Sequence, residues 1–374
     1  MAIIHSLIIG AGPAGLATAA RLRNADIDFT IIEQSQHVGN AWRNHYDRLH
    51  LHTVKQWSHL PMKPFPEDYP LYVSRQQLVD YMEDYARQFK IQPITGIEVS
   101  HIRKAGDNWE ATSKNGQTYI AKNIIVATGV NRVPFVPSWR GQAGFRGDII
   151  HSRVYRNPKP FLGKKVLVVG IGNTGAEVAL DLSEAGVDTA IVARGEISLV
   201  PRDLNGRPVQ VTGKQLEKLP FGLGDWLGSQ IRKVYFGDLS KYGLKMSKIS
   251  PTKLLRETGK TPLIDLGTIA AIKAGKIKVA GDIDHFTETG IAFKNGDFQE
   301  FDSVILATGY RAKIDELVEK GADLLDQYGC TKSPVGDGFH QGLYFVGFDN
   351  YKTGGILGTI SEDSETVVKA IQKT

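Results

Sequence analysis

The sequence predicts an α/β chain of two dinucleotide-binding, Rossmann-like units, the second inserted into the first. Three observations carry this. A β-rich apolar run breaks into a glycine fingerprint twice, as LIIGAGPAG at Leu7–Gly15 and as VLVVGIGNTG at Val166–Gly175. Each fingerprint is followed by a helical stretch and a second strand. Each copy closes on a strand running into Ala-Thr-Gly, at Ile124–Gly129 and at Val304–Gly309. One G-x-G-x-x-G is a weak signal, but two in strand–turn–helix order are a strong one.

In the first copy, Gly10, Gly12 and Gly15 have separate jobs. One permits the tight turn, one brings backbone N–H groups to a pyrophosphate, and one lets helix and strand pack closely. The helix entered at Pro13 and Ala14 then turns its positive end toward the phosphates. The next strand, FTIIE, ends at Glu33, 23 residues after Gly10. A carboxylate there accepts hydrogen bonds from ribose hydroxyls and repels a 2′-phosphate, which suits FAD or NAD. The closing Ala127, Thr128 and Gly129 are expected beside the same cofactor.

In the second copy, Gly170, Gly172 and Gly175 take the glycine places, and AIVAR ends at Arg194, 24 residues after Gly170. A guanidinium there grips a 2′-phosphate in bidentate fashion, which suits NADPH. Gly195 brings no hydroxyl to that phosphate, so NADH is left as an accepted alternative. Thr308 and Gly309 are also expected among the cofactor-binding residues. Two different nucleotides imply hydride transfer from NADPH to a bound flavin. The expected layout is 1–155 for the FAD-binding domain, 156–298 for the NADPH-binding domain, and 299–374 for the return to the first. The return rests on a late strand at Gly342–Gly347 and a final helix ending near Ile371. Thr359 and Glu362 are the expected capping box of that helix.

The 374 residues are 41% hydrophobic and 23% charged, an ordinary globular balance that argues against disorder. The single cysteine, Cys330, excludes a disulfide framework, a cysteine zinc cluster, an iron–sulfur site and a Cys-x-x-Cys redox pair. No metal is expected: five of the ten histidines lie between His37 and His59, without further ligands at a recognisable spacing. No apolar run approaches the ~20 residues of a membrane span. Cleavage of the N-terminal apolar stretch as a signal would destroy the first fingerprint, so a cytoplasmic enzyme is expected. Of the net charge of +5, the stretch from Arg202 to Lys260 carries 12 basic and 5 acidic residues. That is a solvated face or a steering field for an anion. No nucleic-acid motif accompanies it, so no such partner is expected. Leu223, Trp226, Leu227, Ile231 and Val234 keep helical spacing. Core packing is the expectation, with a substrate flap, a subunit contact or a membrane-surface contact as alternatives. A homodimer is left open.

GAGPAGLA (Gly10–Ala17), GIGNTGAE (Gly170–Glu177) and FRGDIIHSRVY (Phe145–Tyr155) together resemble the flavin-containing monooxygenases, the class B flavoprotein monooxygenases. The last segment matches F-x-G-x-x-x-H-x-x-x-Y through Phe145, Gly147, His151 and Tyr155. YDRLHLHTVKQ (Tyr46–Gln56), LPMKPFPEDYPLY (Leu60–Tyr72), TGKTPLIDLG (Thr258–Gly267), GKIKV (Gly275–Val279) and GLYFVGF (Gly342–Phe348) are similar to YUCCA-type members. The resemblance implies the FAD/NAD(P)-binding flavoprotein fold. It places Glu33, Gln34, Gly39, Trp42 and Arg43 along FAD. It places His52, Thr53 and Gln56 in the stretch facing the isoalloxazine, with His52 and Thr53 as catalytic candidates. It places Asn173, Thr174 and Arg194 on NADPH. His52 stands where many animal-type members have asparagine and YUCCA-type members have histidine.

The chemistry so implied belongs to the cofactors. NADPH reduces FAD, the reduced flavin takes up dioxygen as a peroxyflavin, and one oxygen passes to sulfur, nitrogen or a carbonyl of a small substrate. Broad oxygenation of this kind is the expected function. One alternative is YUCCA-type decarboxylative oxidation of indole-3-pyruvate to indole-3-acetic acid. Another is a flavoprotein NAD(P)H reductase serving a protein partner, which leaves Phe145–Tyr155 unexplained.

Overall fold

Ile4–Ile9 forms strand β1, with Leu7 and Ile8 fully buried. It turns at Gly10 into helix α1 (Pro13–Asn24), whose proline sits in the first turn, where a backbone N–H has no helical partner. β2 (Thr30–Glu33) pairs parallel to β1. Helix α2 (Arg75–Gln88) is opened by Ser74 and Gln77, which form a complete capping box. β3 (Ile94–Thr95), β4 (Val99–Ala105), β5 (Asn108–Ser113) and β6 (Thr118–Val126) complete a sheet of order β3-β2-β1-β6-β5-β4. The computed structural model describes residues 3–216, 219–220 and 222–373.

A second sheet follows. β7 (Asp148–His151), β8 (Lys165–Val169), helix α3 (Asn173–Glu184), β9 (Asp188–Val192), helix α4 (Leu223–Phe236), β10 (Ile277–Ala280) and β11 (Ser303–Leu306) come in chain order. The strands lie in the order β10-β9-β8-β11-β7, all parallel. Strands buried on both faces read as continuous apolar runs, as VLVV and VIL do here. The chain then returns to the first sheet: β12 (Leu343–Phe345) pairs parallel with β6, and helix α5 (Ile356–Ile371) packs on α1. Arg21 of α1 donates to Ser364 Oγ (3.1 Å) and the Ser361 carbonyl (3.2 Å). Each unit has its own core. Leu7, Ile32, Trp109, Ile124 and Phe345 belong to one, and Leu167, Val192, Phe286, Ile291 and Val304 to the other.

One unit comprises the chain up to Asn44, Thr53–Val133 and the chain from Tyr310; the other comprises His45–His52 and Pro134–Gly309. The expected borders, 156 and 299, therefore move to 134 and 310. The physical reason is strand pairing, because β7 and β11 both hydrogen-bond into the second sheet. Two further expectations are corrected. Gly355, at φ 83°, is the N-cap of α5, with no side-chain cap. Thr359 lies inside the helix and reaches back to the Gly355 carbonyl, while Glu362 pairs with Lys352 at 3.1 Å. The apolar positions of α4 are not core: Trp226 is 58% and Val234 86% exposed. Among the described residues, no helix is long and apolar enough to cross a membrane.

Candidate functional site

The two glycine loops have one geometry. Gly10 and Gly170 adopt φ 109° and 111°, conformations that favour glycine. A Cβ there would lie 2.6 Å from the Ala127 carbonyl oxygen and 2.7 Å from that of Ala307. A Cβ on Gly15 or Gly175 would lie 1.8 or 1.9 Å from the carbonyl oxygen of Gly10 or Gly170. Around Gly12 and Gly172 the situation is opposite, since a Cβ would meet nothing within 4 Å. The first and third glycines are thus required by the protein. The middle one faces open space at a helix N-terminus, a place with the backbone N–H groups and room that a pyrophosphate needs.

Further features of the first loop fit FAD. Thr128 Oγ1 is buried and, among the described residues, has no hydrogen-bond partner. Glu33 is buried at the end of β2. Its Oε2 accepts from the Ala11 N–H (2.7 Å), and its Oε1 accepts from the Ser35 N–H (2.9 Å) and hydroxyl (2.7 Å). The carboxylate ties loop to strand and keeps lone-pair capacity for a ribose. Gly39, at φ 64°, donates its N–H to the Ala11 carbonyl. Pro13 and Ala14 form the first turn of α1. Gly129, at φ 79°, follows Thr128. Gln34 and Gln56 are exposed and Trp42 is half-buried. Arg43, expected along FAD, is paired with Glu83 and donates Nε to the Val38 carbonyl.

In the second unit, Arg194 is exposed just beyond β9, and among the described residues no bond or ion pair is assigned to its guanidinium. Thr174 sits half-buried in the first turn of α3. Asn173 differs from expectation. Its side chain donates to the Pro262 carbonyl (3.1 Å) and accepts from the Ile264 N–H (2.7 Å), so it fastens the strand Leu263–Asp265 to α3. What it has for a phosphate is its backbone N–H. Thr308 is likewise occupied, donating to the Phe135 carbonyl. The Gly309 carbonyl accepts from Phe135 N–H (2.9 Å) and His151 Nε2 (3.1 Å).

The segment His45–His52 is clamped to α3 by three carboxylates spaced i, i+4, i+7, which share one helix face. Glu177, 2% exposed, accepts from the Tyr46 hydroxyl (2.8 Å) and His52 Nε2 (3.1 Å) at the same oxygen. Asp181 and Glu184 hold Arg48 Nη1 at 3.3 and 2.7 Å, and Asp181 also accepts from the Tyr155 hydroxyl at 2.7 Å. Thr53 donates to Ser58 Oγ (2.7 Å), whose own proton goes to the Val54 carbonyl. Glu177 and Tyr46 are the residues that motif reading passed over. Their signal is the acidic i, i+4, i+7 pattern behind the second fingerprint.

The Phe145–Tyr155 motif is a set of fastenings in the second unit. Phe145 meets Phe286 edge-on at 5.6 Å. A Cβ on Gly147 would lie 2.5 Å from the Asp302 carbonyl oxygen. His151 donates Nε2–H to Gly309 and accepts the Arg153 N–H at Nδ1, and burial depresses its pKa. Tyr155, 1% exposed, bonds Asp181; burial followed by that carboxylate pushes its phenol far up.

The model of the flavin-binding monooxygenase-like family matches residues 5–322. The chain belongs to this family. It is 38% identical over 372 residues to a YUCCA-type indole-3-pyruvate monooxygenase of Oryza sativa subsp. japonica, covering 98% of this chain and 91% of that one. Two solved structures share the fold. A flavin-containing monooxygenase from Stenotrophomonas maltophilia is 21% identical at a TM-score of 0.75, covering 100% of this chain and 99% of that one. A cyclohexanone monooxygenase from Rhodococcus sp. Phi1 bound to NADP+ is 17% identical at 0.76, covering 99% and 85%. This flavin monooxygenase is an oxidoreductase of the two-dinucleotide-binding-domain fold, and its cofactors are FAD and NADPH.

Proposed function

We propose that this monooxygenase oxidises a 2-oxo acid of the indole-3-pyruvate type with loss of carbon dioxide. The observation that carries the reading is 38% identity, over 98% of this chain, to an enzyme named for that substrate. Dioxygen is the second substrate, and the cytoplasm is the proposed compartment. The reaction balances. NADPH supplies two electrons, one oxygen atom enters the product carboxylate, the other leaves as water, and the original carboxylate leaves as carbon dioxide. The flavin, when bound, supplies the activation of dioxygen.

The chain's residues bind and orient. Gly12 and the start of α1 receive the FAD pyrophosphate, and Glu33 the ribose. Gly172, the start of α3 and Arg194 receive NADPH. His52 and Thr53 belong to the catalytic stretch. With Nε2–H donated to Glu177, the His52 ring presents Nδ1 as its remaining polar atom. Turnover with NADPH is to be assayed on indole-3-pyruvate, a thioether, a tertiary amine and a cyclic ketone. Indole-3-acetic acid as the dominant product is expected. Sulfoxide or N-oxide without indole-3-acetic acid would replace this reading with broad oxygenation.

A further inference from the structure

The second unit holds a partly open cavity of about 190 Å³ between Val200 and Arg256. Leu204, Leu216 and Ile231 make much of it apolar, yet Arg232 of α4 lines it too. Arg232 is 2% exposed, and its Nη2 donates to the Ser247 carbonyl at 2.8 Å. Among the described residues, neither Nε nor Nη1 has a hydrogen-bond partner. A guanidinium has five N–H groups, so three of them, on one buried cation, lack an acceptor. Burial alone drives its pKa below the ordinary arginine value. The carboxylate in the same wall, Asp225, is already taken by Arg256 Nη2 and Ser250 Oγ, each at 2.8 Å. Among the described residues the cavity is thus lined by apolar side chains and by the polar Thr212, Ser250 and Thr252, and Arg232 is its one uncompensated positive charge. A desolvated charge without a partner is costly, and an incoming anion relieves that cost.

We propose that this cavity is a binding site for a monocarboxylate with an apolar body. Its carboxylate pairs with Arg232, and its body lies against Leu204, Leu216 and Ile231. The volume exceeds the ~150 Å³ cavity known to hold benzene, so an aromatic ring fits. With Arg256 already paired to Asp225, one uncompensated guanidinium among the described lining residues favours a single carboxylate over a dicarboxylate, whose second charge would stay unpaired. The site stands on the cavity itself. It rests on the 2-oxo acid reading only for whether the acid is substrate, product or effector.

The test titrates FAD-loaded protein calorimetrically with 3-phenylpropionate and with its neutral isostere 3-phenylpropanamide. Wild type should bind the acid at least roughly tenfold more tightly than the amide. Arg232→Met should erase that preference while leaving amide binding unchanged. Its melting temperature should hold or rise, because an apolar chain replaces an unpaired buried charge. Arg232→Lys, which keeps the charge without the planar fork, should retain part of the preference. Equal binding of acid and amide by wild type, or a preference that survives in Arg232→Met, overturns the proposal. Competition by 3-phenylpropionate against indole-3-pyruvate turnover assigns the site to substrate or product. Binding that leaves turnover kinetics competitively untouched assigns it to an effector, and the site stands in both cases. A chain that makes no indole-3-acetic acid but binds the acid through Arg232 refutes the proposed function alone.

Discussion

Glu177 shows how one buried carboxylate oxygen orders a functional segment. It collects the Tyr46 hydroxyl and His52 Nε2, so the histidine ring is set by α3 rather than by its own loop. Glu177 is a positioning residue on this account, because it acts through His52. Glu177→Gln keeps the shape but turns an acceptor into a donor on one side. The expected loss of stability is about 1–3 kcal/mol. A double-mutant cycle on kcat with His52→Asn should give a coupling of at least about 0.5 kcal/mol, with the KM for NADPH nearly unchanged. Additive effects on kcat would show that Glu177 does not act through His52. At this scale the sequence is legible where local spacing fixes a residue's place, as for Glu33, buried at the end of β2, and Arg194, exposed just beyond β9. It is opaque where the partner is a backbone group far along the chain. Asn173 and Thr308 were expected on cofactor and are instead engaged by Pro262, Ile264 and Phe135. Nothing in their local spacing encodes those contacts.

The strand–loop–helix element occurs twice with nearly superimposable backbone angles. Its middle glycine is separable in role from the outer two. Gly15→Ala forces a methyl onto the Gly10 carbonyl and should prevent stable folding of the first unit. Gly12→Ala points a methyl into open space. The apoprotein should melt as wild type does, while flavin occupancy after purification falls sharply. Gly172→Ala should keep its flavin and raise the KM for NADPH. Full flavin occupancy in Gly12→Ala, by absorbance against protein concentration, would contradict the placement of FAD. The fingerprints were legible because a glycine at φ near 110° leaves a mark no other residue makes. The start of α5 was misread because Gly355, with no side chain to signal a cap, ends the preceding turn four residues before Thr359. The apolar spacing of α4 was legible, but its exposure was not. Periodicity reports a face and leaves open what covers it.

For the whole molecule, the nesting of one unit in the other could be read from the order of the fingerprints and the late strand GLYFVG. Its borders could not, because strand pairing decides them. β7 and β11 flank the expected borders and join the second sheet, and His45–His52 joins the second unit through α3. The positive charge is concentrated between Arg202 and Lys260, the stretch that also holds the cavity of Arg232. Glu217 and Lys218 of that stretch lie outside the described residues. A field of this sign draws an anionic substrate at ranges up to the ~8 Å Debye length of physiological salt. The reaction we propose spends NADPH to place one atom of dioxygen in a small organic acid. The most direct test is turnover of indole-3-pyruvate under ¹⁸O₂ with NADPH consumption followed in parallel. The account predicts one ¹⁸O in the carboxylate of indole-3-acetic acid for each NADPH oxidised. Unlabelled product, or hydrogen peroxide released in step with NADPH, would contradict it.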